Sequence, residues 1–546
     1  MPTFDDYRAL LVSDTEGWHA GDGTLTYNFL TSIPSYYTEI GGEYLVGQAF
    51  WISSQSSVTM SASEQALMLQ AVAVWNEVAN VNLVASDSAT ADLQFASTDF
   101  GDTGLYGFVE DFPDPDDLGG SGSGAGDIWV NNGSPDQYIP GTGPVLAHTS
   151  WNTLLHELGH ALGLRHPNES PSDPETNGQY TVMSYIEHPS QSSKPLQQQA
   201  YSLTGMLWDI QALQELYGAN TSTRSSDTVY FGDGGGGSSA LEYQYAADGM
   251  TVQGADGSFR DVILTIWDAG GTDLIDASDL ASDSQIDLRP GNYSSIGAAE
   301  DNIAVAAAVY ENGAVINYIE DAWGGSGNDR LIGNDTDNAL YGNAGQDRLL
   351  GRIGDDVLHG NAGNDFLRGD RGDDTLQGGS GNDRLLGRSE DDLLLGQGGT
   401  DTLDGGTGTD TLRGGFGQDR LFGRGGHDTL DGGQGSDRLA AGFGHDKLLG
   451  RRGNDTLDGG QGDDLMVGGY GADVFVFSPG QDTVQDFGVR DYLDLRGANG
   501  ITSFDDLIAN HAQDSAQGVL IEDTQGNQLL LQNRDLESLT ESDVLF

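Results

Sequence analysis

The spacing of apolar residues along the 546-residue chain changes its rule twice, near residue 220 and again near residue 324. Up to about 220 it follows the periods of ordinary helices and strands. Residues 61–79 open with Ser61 and Glu64 in capping-box spacing, and Leu67, Met68, Ala71, Val72, Trp75, Val78 and Ala79 then fall on one helical face. Residues 151–162 predict a second helix, and 204–217 a third that Gly218 stops. Short runs at 81–84, 93–96 and 128–130 predict strands. From 221 to 323 the pattern is mixed, with strand-like pieces such as 262–267. From Gly324 to Phe477 it is strictly periodic at nine residues, and 478–546 returns to aperiodic strand-like sequence.

The nine-residue pattern is G-G-x-G-x-D-x-U-x, with U apolar. Aspartate recurs at Asp329, Asp347, Asp356, Asp365, Asp374, Asp383, Asp392, Asp401, Asp410, Asp419, Asp428, Asp437, Asp446, Asp455, Asp464 and Asp473, and only Asn338 interrupts the column. The eighth position is apolar in every register, from Leu331 and Leu340 to Met466 and Phe475. The first glycine is replaced at Ala441, the fourth at Thr336 and Glu390. If the apolar residue points inward and G-G-x-G-x-D turns the chain, two nonapeptides make one coil. Coils stacked at about 4.8 Å bring successive aspartates together, where they repel. Calcium takes hard carboxylate and carbonyl oxygens, so ions between stacked turns are expected. Seventeen registers predict roughly eight coils, a rod of about 40 Å. A flexible linker would have no need of the apolar column. Without calcium the stretch has too little apolar surface to offset its entropy and charge, so folding is expected outside the low-calcium cytosol.

Charge supports the same view. Asp and Glu total 84 against 23 Lys and Arg, a formal net charge of −61. Such a polyanion repels nucleic acid and anionic membranes. With no cysteine, disulfides and thiolate metal sites are absent, and bound metal is the remaining staple. The start, Met1-Pro2-Thr3-Phe4-Asp5-Asp6, lacks the features of a Sec signal peptide. The longest apolar run, 303–310, is too short for membrane insertion.

The densest chemistry lies at His156-Glu157-Leu158-Gly159-His160-Ala161-Leu162-Gly163-Leu164-Arg165-His166. His156 and His160 are one helical turn apart and point to one side. Gly163 lets the chain leave the helix sharply, so that His166 returns as a third ligand. Three neutral imidazoles leave one zinc ion an open position for water, and Glu157 is the base that takes its proton for attack on a polarised carbonyl. Three of the chain's 10 histidines fall in this one register. Shortly before it, 126–131 reads equally as an internal strand or as an edge strand that pairs with an extended peptide.

These residues resemble the metzincin metalloproteases. The resemblance implies a Met-containing turn beneath the zinc, matched by Met183-Ser184-Tyr185. Within the metzincins the chain is most similar to the serralysins, on Pro167, Leu207-Trp208-Asp209-Ile210-Gln211-Ala212-Leu213 and Leu216-Tyr217-Gly218-Ala219-Asn220. That implies Tyr185 as a further zinc ligand that swings away to stabilise the tetrahedral intermediate. The nonapeptides resemble RTX repeats, which implies several structural calcium ions. Candidate ligands before the array are Arg224, Ser226, Thr228, Asp268, Gly270, Gly271, Asp273, Tyr318 and Glu320. Those at its start are Gly325, Gly327, Asp329, Asn334, Thr336 and Asn338, followed by the aspartates from Asp347 to Asp464 except Asp392, whose turn Glu390 alters.

The fold implied is an α+β metzincin catalytic domain followed by an all-β parallel β-roll. Its parts are a short propeptide at 1–20 with no visible cleavage site, a protease domain at 21–220, a β-rich lead-in at 221–323, the roll at 324–477, and a C-terminal cap at 478–546 with a type I secretion signal ending Asp543-Val544-Leu545-Phe546. The resemblance implies a secreted, extracellular, monomeric metalloendopeptidase acting on proteins or peptides. Its other partners would be the type I secretion machinery and a proteinaceous inhibitor. A calcium-dependent adhesive protein with a vestigial zinc site is the competing reading, and the intact Glu157 weighs against it.

Overall fold

A computed structural model describes residues 24–29, 39–40, 43–46, 50–53, 59–87, 93–98, 107–110, 127–131, 148–164, 181–183, 205–231, 251–253, 259–261, 264–296, 303–311 and 314–546. The chain divides into two compact units, 1–274 with 290–319, and 275–289 with 320–546.

In the first unit the helix pattern is realised with shifted starts. Helix α1 (Ala62–Val78) is closed by the capping box, with the Ser61 hydroxyl accepting from the Glu64 N–H at 3.3 Å and the Glu64 carboxylate accepting from the Ser61 N–H at 2.6 Å. Met68, Ala71, Val72, Trp75 and Val78 form its buried face. Helix α2 (His148–Ala161) begins three residues before the apolar pattern does, because its first turn is polar and leaves no periodic mark. Helix α3 (Leu207–Tyr217) begins three residues later than expected, because the Asp209 carboxylate reaches back to the Met206 N–H at 2.8 Å and sets the first turn there.

A five-stranded sheet runs in the order Asn82–Ala85, Thr24–Phe29, Leu93–Thr98, Asp127–Asn131, Gly107–Glu110. The first four strands are parallel, and Gly107–Glu110 is antiparallel to Asp127–Asn131. The 126–131 segment is therefore an internal strand. Among the described strands the edges are Asn82–Ala85 and Gly107–Glu110, and Gly107–Glu110 carried too few apolar residues to stand out in the sequence.

The second unit is the parallel β-roll. Strands pair at a stride of 18 residues, Leu403 with Leu421 on one sheet and Leu412 with Leu430 on the other, so two nonapeptides do make one coil. All seventeen apolar eighth positions, from Leu331 to Phe475, are fully buried. The strands run six residues, as in Thr429–Gln434, and not three. The glycine pair stays in the ladder, and only the G-x-D piece turns. The roll also outruns its repeats. A twelve-stranded sheet begins at Gln285–Asp287, inside the expected lead-in, and continues through Tyr492–Asp494 to Val544–Leu545. Ile286 and Leu493, both fully buried, stand in for the repeat's leucine at the two ends. No helix among the described residues is long and apolar enough to cross a membrane.

The tight turn calls for glycine at the fourth repeat position in every register but those of Thr336 and Glu390. At Gly453, φ is +138°, and an added Cβ would overlap the carbonyl oxygen of Gly435 in the coil beneath. Arg451, two residues earlier, is already left-handed at φ +75° and exposed. Gly453→Ala should therefore destabilise the roll by about 2 kcal/mol or more, whereas Arg451→Gly should change stability by no more than about 1 kcal/mol. Denaturant midpoints at constant calcium decide it, and equal midpoints for wild type and Gly453→Ala would contradict the turn geometry.

Candidate metal centres

Helix α2 carries His156, Glu157 and His160, all buried. The Nδ1 of His156 lies 2.8 Å from the Val182 carbonyl, and that of His160 lies 2.8 Å from the Leu164 carbonyl. A carbonyl only accepts, so each Nδ1 holds the ring proton and donates it. Each Nε2 is then the lone-pair atom, and the two Nε2 atoms face each other at 3.1 Å with the rings nearly perpendicular. Two lone pairs so placed repel unless they share a cation. Imidazoles on a tetrahedral zinc, with bonds of about 2.0–2.1 Å, would hold their nitrogens about 3.3 Å apart. The pair fits such an ion.

Three local features aim these rings. The helix ends in a turn in which the Gly163 N–H donates to His160 O and the Leu164 N–H to Gly159 O, each at 2.9 Å, with Gly163 at φ +99°. This places the Leu164 carbonyl under His160. Met183 packs against the helix at Gly159, where an added Cβ would lie 2.7 Å from its Sδ. Asp209, fully buried at the start of α3, then ties down the 181–183 turn. Its carboxylate accepts from the Thr181 hydroxyl and from the Val182 N–H at 2.8 Å. Burial pushes the Asp209 carboxyl up to about 7, against the pull of these hydrogen bonds. Sequence reasoning quoted Asp209 within a family tract but gave it no role. His166, Tyr185 and the 1–20 segment lie outside the described residues. Among the described residues no group of three metal-ligating side chains forms.

The second candidate centre is the aspartate ladder. Each aspartate's Oδ1 accepts the N–H of the aspartate 18 residues earlier, as from Asp347 to Asp365 and from Asp437 to Asp455, both at 2.8 Å. The other oxygen, Oδ2, is buried without a hydrogen-bond partner in every register from Asp347 to Asp473. Fifteen orphaned carboxylate oxygens in two columns demand protons or cations. Burial, reinforced at most registers by neighbouring carboxylates, pushes these groups up to about 6 at Asp365, about 7 at Asp347 and about 8 at Asp356 and Asp392. The donor set is hard oxygen, which fits calcium.

Asp392 and Asp473, left out of the expected ligands, stand in the ladder like their neighbours. Glu390 adopts φ +73° and accepts the Gly372 N–H at 2.9 Å, leaving Asp392 in place. Reading the register alone, without the glycine, would have kept it. Asn338 differs, since its amide donates to Glu320 O at 2.8 Å and to Asn334 Oδ1 at 3.2 Å, occupying the direction a cation would take. Thr336 sits at the turn of this register, its N–H donating to Asn334 Oδ1 at 3.1 Å. Asp329 has both oxygens engaged, by Ser284 N–H and Gly325 N–H. Gly327 packs against the 282–283 backbone.

In the first unit, Ser226, Thr228, Asp268, Gly270, Gly271 and Asp273 converge. The Thr228 N–H donates to Asp273 Oδ1 at 2.8 Å, the Gly270 N–H to Asp268 Oδ1 at 3.2 Å, and Gly271 lies against Ser226. The Arg224 guanidinium is committed to Glu77 at 2.8 Å, so only its main chain is available as a ligand.

Comparison with known proteins places this geometry. A family model described as Peptidase M10 serralysin C terminal matches residues 219–507, more than half of the chain. The chain belongs to the serralysin family. It is 37% identical over 227 residues to a serralysin of Proteus mirabilis, covering 40% of this chain and 41% of that relative. It is 31% identical over 359 residues to the metallopeptidase AprA of Pseudomonas marginalis, covering 62% and 66%. A serralysin of Photorhabdus luminescens is 32% identical over 361 residues, covering 62% and 65%. The chain thus spans from about two fifths to just under two thirds of these relatives. The family match takes in the lead-in clusters and the ladder but begins after the histidine helix.

Two outcomes follow. Asp209→Asn keeps one acceptor oxygen where Thr181, Val182 and Met206 use two, so the turn beneath His156 should loosen. Metal affinity at the histidine pair is expected to fall about 10- to 100-fold, read by competition with a chelating dye, and unchanged affinity would remove Asp209 from the site. For the ladder, the folded state raises the aspartate pKa values, so without metal it binds protons more tightly than the unfolded chain. Stability of the metal-free roll is then greatest below about pH 4 and is lost as pH rises through about 6 to 8. Circular dichroism in excess chelator should show β structure at acid pH that disappears by pH 8, and a signal independent of pH would refute the ladder's electrostatics.

Proposed function

We propose that this protein is a secreted zinc-dependent endopeptidase whose β-roll binds structural calcium and folds after export. The observation that carries the proposal is the facing Nε2 pair of His156 and His160, buried beside Glu157 over Met183. His156 and His160 would hold the ion, each ring fixed by its Nδ1 donation. His166 and Tyr185 complete the ligand set by family resemblance. When bound, zinc supplies a Lewis acid that acidifies water and polarises a carbonyl. The Glu157 carboxylate takes the proton of the attacking water and returns it to the leaving amine. The antiparallel edge at Gly107–Glu110 offers main-chain groups to an extended peptide, which favours broad specificity, since such bonds read no side chain.

The orphaned Oδ2 columns support calcium as the roll's metal. Membership in the serralysin family supports protein substrates, an extracellular location, and the type I secretion machinery and a proteinaceous inhibitor as partners. The test is casein hydrolysis with and without Glu157→Ala, at equal zinc content. Removal of a general base should lower the rate by about 100-fold or more. Equal rates would overturn the peptidase reading and leave an adhesive, calcium-stiffened protein.

A further inference from the structure

The first residue of each roll strand stands directly before the buried leucine and points outward. On the twelve-stranded sheet this column holds Arg330, Arg348, Phe366, Arg384, Arg420 and Arg438 within seven consecutive strands. The same column on the opposite sheet holds one cation, Lys447, over the corresponding seven strands. Arg348, Arg384, Arg420 and Arg438 are exposed. None of the five arginines forms an ion pair with a described residue, while Arg352, Arg368 and Arg424 on the same sheet are paired with Asp335, Asp370 and Asp404.

The arrangement costs stability. Arg330 lies directly across from Arg348, and Arg420 from Arg438, and like charges opposite one another destabilise a sheet. Acid partners are not scarce in a chain with 84 acidic residues and 23 basic ones. Phe366 stands between two arginines, its ring centroid 5.0 Å from Arg348 Cζ and 5.7 Å from Arg384 Cζ. This cation–π sandwich holds both guanidinium groups in place without neutralising them.

We propose that this face of the roll binds a linear acidic polysaccharide, a polyuronate chain lying along the roll axis. The stripe covers six strand steps, about 30 Å at about 4.8 Å each. A chain of linked uronic acids repeats its carboxylates at a spacing of the same order. Each guanidinium forks a carboxylate through two parallel N–H donors, and Phe366 offers an apolar surface to a sugar ring. Acidic side chains at the turns, among them the exposed Asp355, Asp373 and Asp391, border the sheet. Salt screens charges beyond about 8 Å. A single glycan chain keeps all its charge within that distance of the arginines. A DNA duplex or a membrane surface holds most of its charge farther out, toward a protein of net charge −61. The proposal goes beyond the peptidase reading and does not depend on it.

The experiment uses the intact, calcium-loaded chain and a short galacturonate oligomer, at calcium too low to gel it. Titration calorimetry at 50 mM salt is compared for wild type, the triple variant Arg384→Gln/Arg420→Gln/Arg438→Gln, and Arg413→Gln on the opposite sheet. Binding should be present in wild type and in Arg413→Gln, weaken tenfold or more in the triple variant, and fall steeply with added salt. A neutral glucan of equal length should not bind. Thermal stability should be equal or higher in the triple variant, where facing like charges are relieved, and casein hydrolysis unchanged, which separates lost binding from misfolding. No binding by wild type, equal binding by the triple variant, or tighter binding of duplex DNA or anionic vesicles than of galacturonate would each overturn the proposal.

Discussion

A carboxylate that is asked to do two things dominates this molecule. One oxygen of each ladder aspartate holds the backbone of the coil below, and the other is buried with nothing to meet it. The first role fixes the 18-residue stride. The second makes that stride unaffordable at neutral pH unless a cation arrives. Because the leucine column is fully buried by the same stacking, hydrophobic burial and charge neutralisation are not separable contributions here. A coil cannot cover its leucine without bringing its aspartate against the next one. That linkage is what would couple folding of the roll to metal binding in a chain whose apolar surface alone would not offset its entropy.

The histidine site in the first unit is built on the opposite principle. Its orientation comes from short, neutral contacts: two carbonyls fix the imidazole tautomers, a methionine fills the gap left by Gly159, and one buried carboxylate gathers the turn that supplies the first carbonyl. These contacts aim both lone pairs at one point before any metal is present. A cation in the roll would hold the fold together, while a cation at the histidines would enter a place already shaped for it.

How much of this could be read in advance follows from how far apart the cooperating residues are. The leucine and aspartate columns repeat every nine residues, so their roles show on inspection. His156 and His160 are four residues apart, and helical geometry joins them. Asp209 is 28 residues from its partner Thr181, with no period linking them, and only the fold reveals the bond. The six-residue strands escaped notice because glycine is read as a turn former, although here the glycine pair stays in the ladder. Asp392 was discounted because its glycine is a glutamate, yet a left-handed backbone at Glu390 does the same work.

The arginine stripe was written in the sequence at a stride of 18, invisible at a stride of nine because the two faces alternate. At nine, arginines mix with threonines and leucines and look like unremarkable solvent-facing positions. Once two registers are known to make one coil, the mixture resolves into one column rich in arginine and one that holds a single cation, Lys447. A roll selected only for folding would have no reason to sort its faces, since either outward column satisfies the leucine core equally well. Binding of an acidic polymer along one face would supply such a reason. Such a constraint would act on the flat, repeating surface whose charge spacing the stacked coils fix.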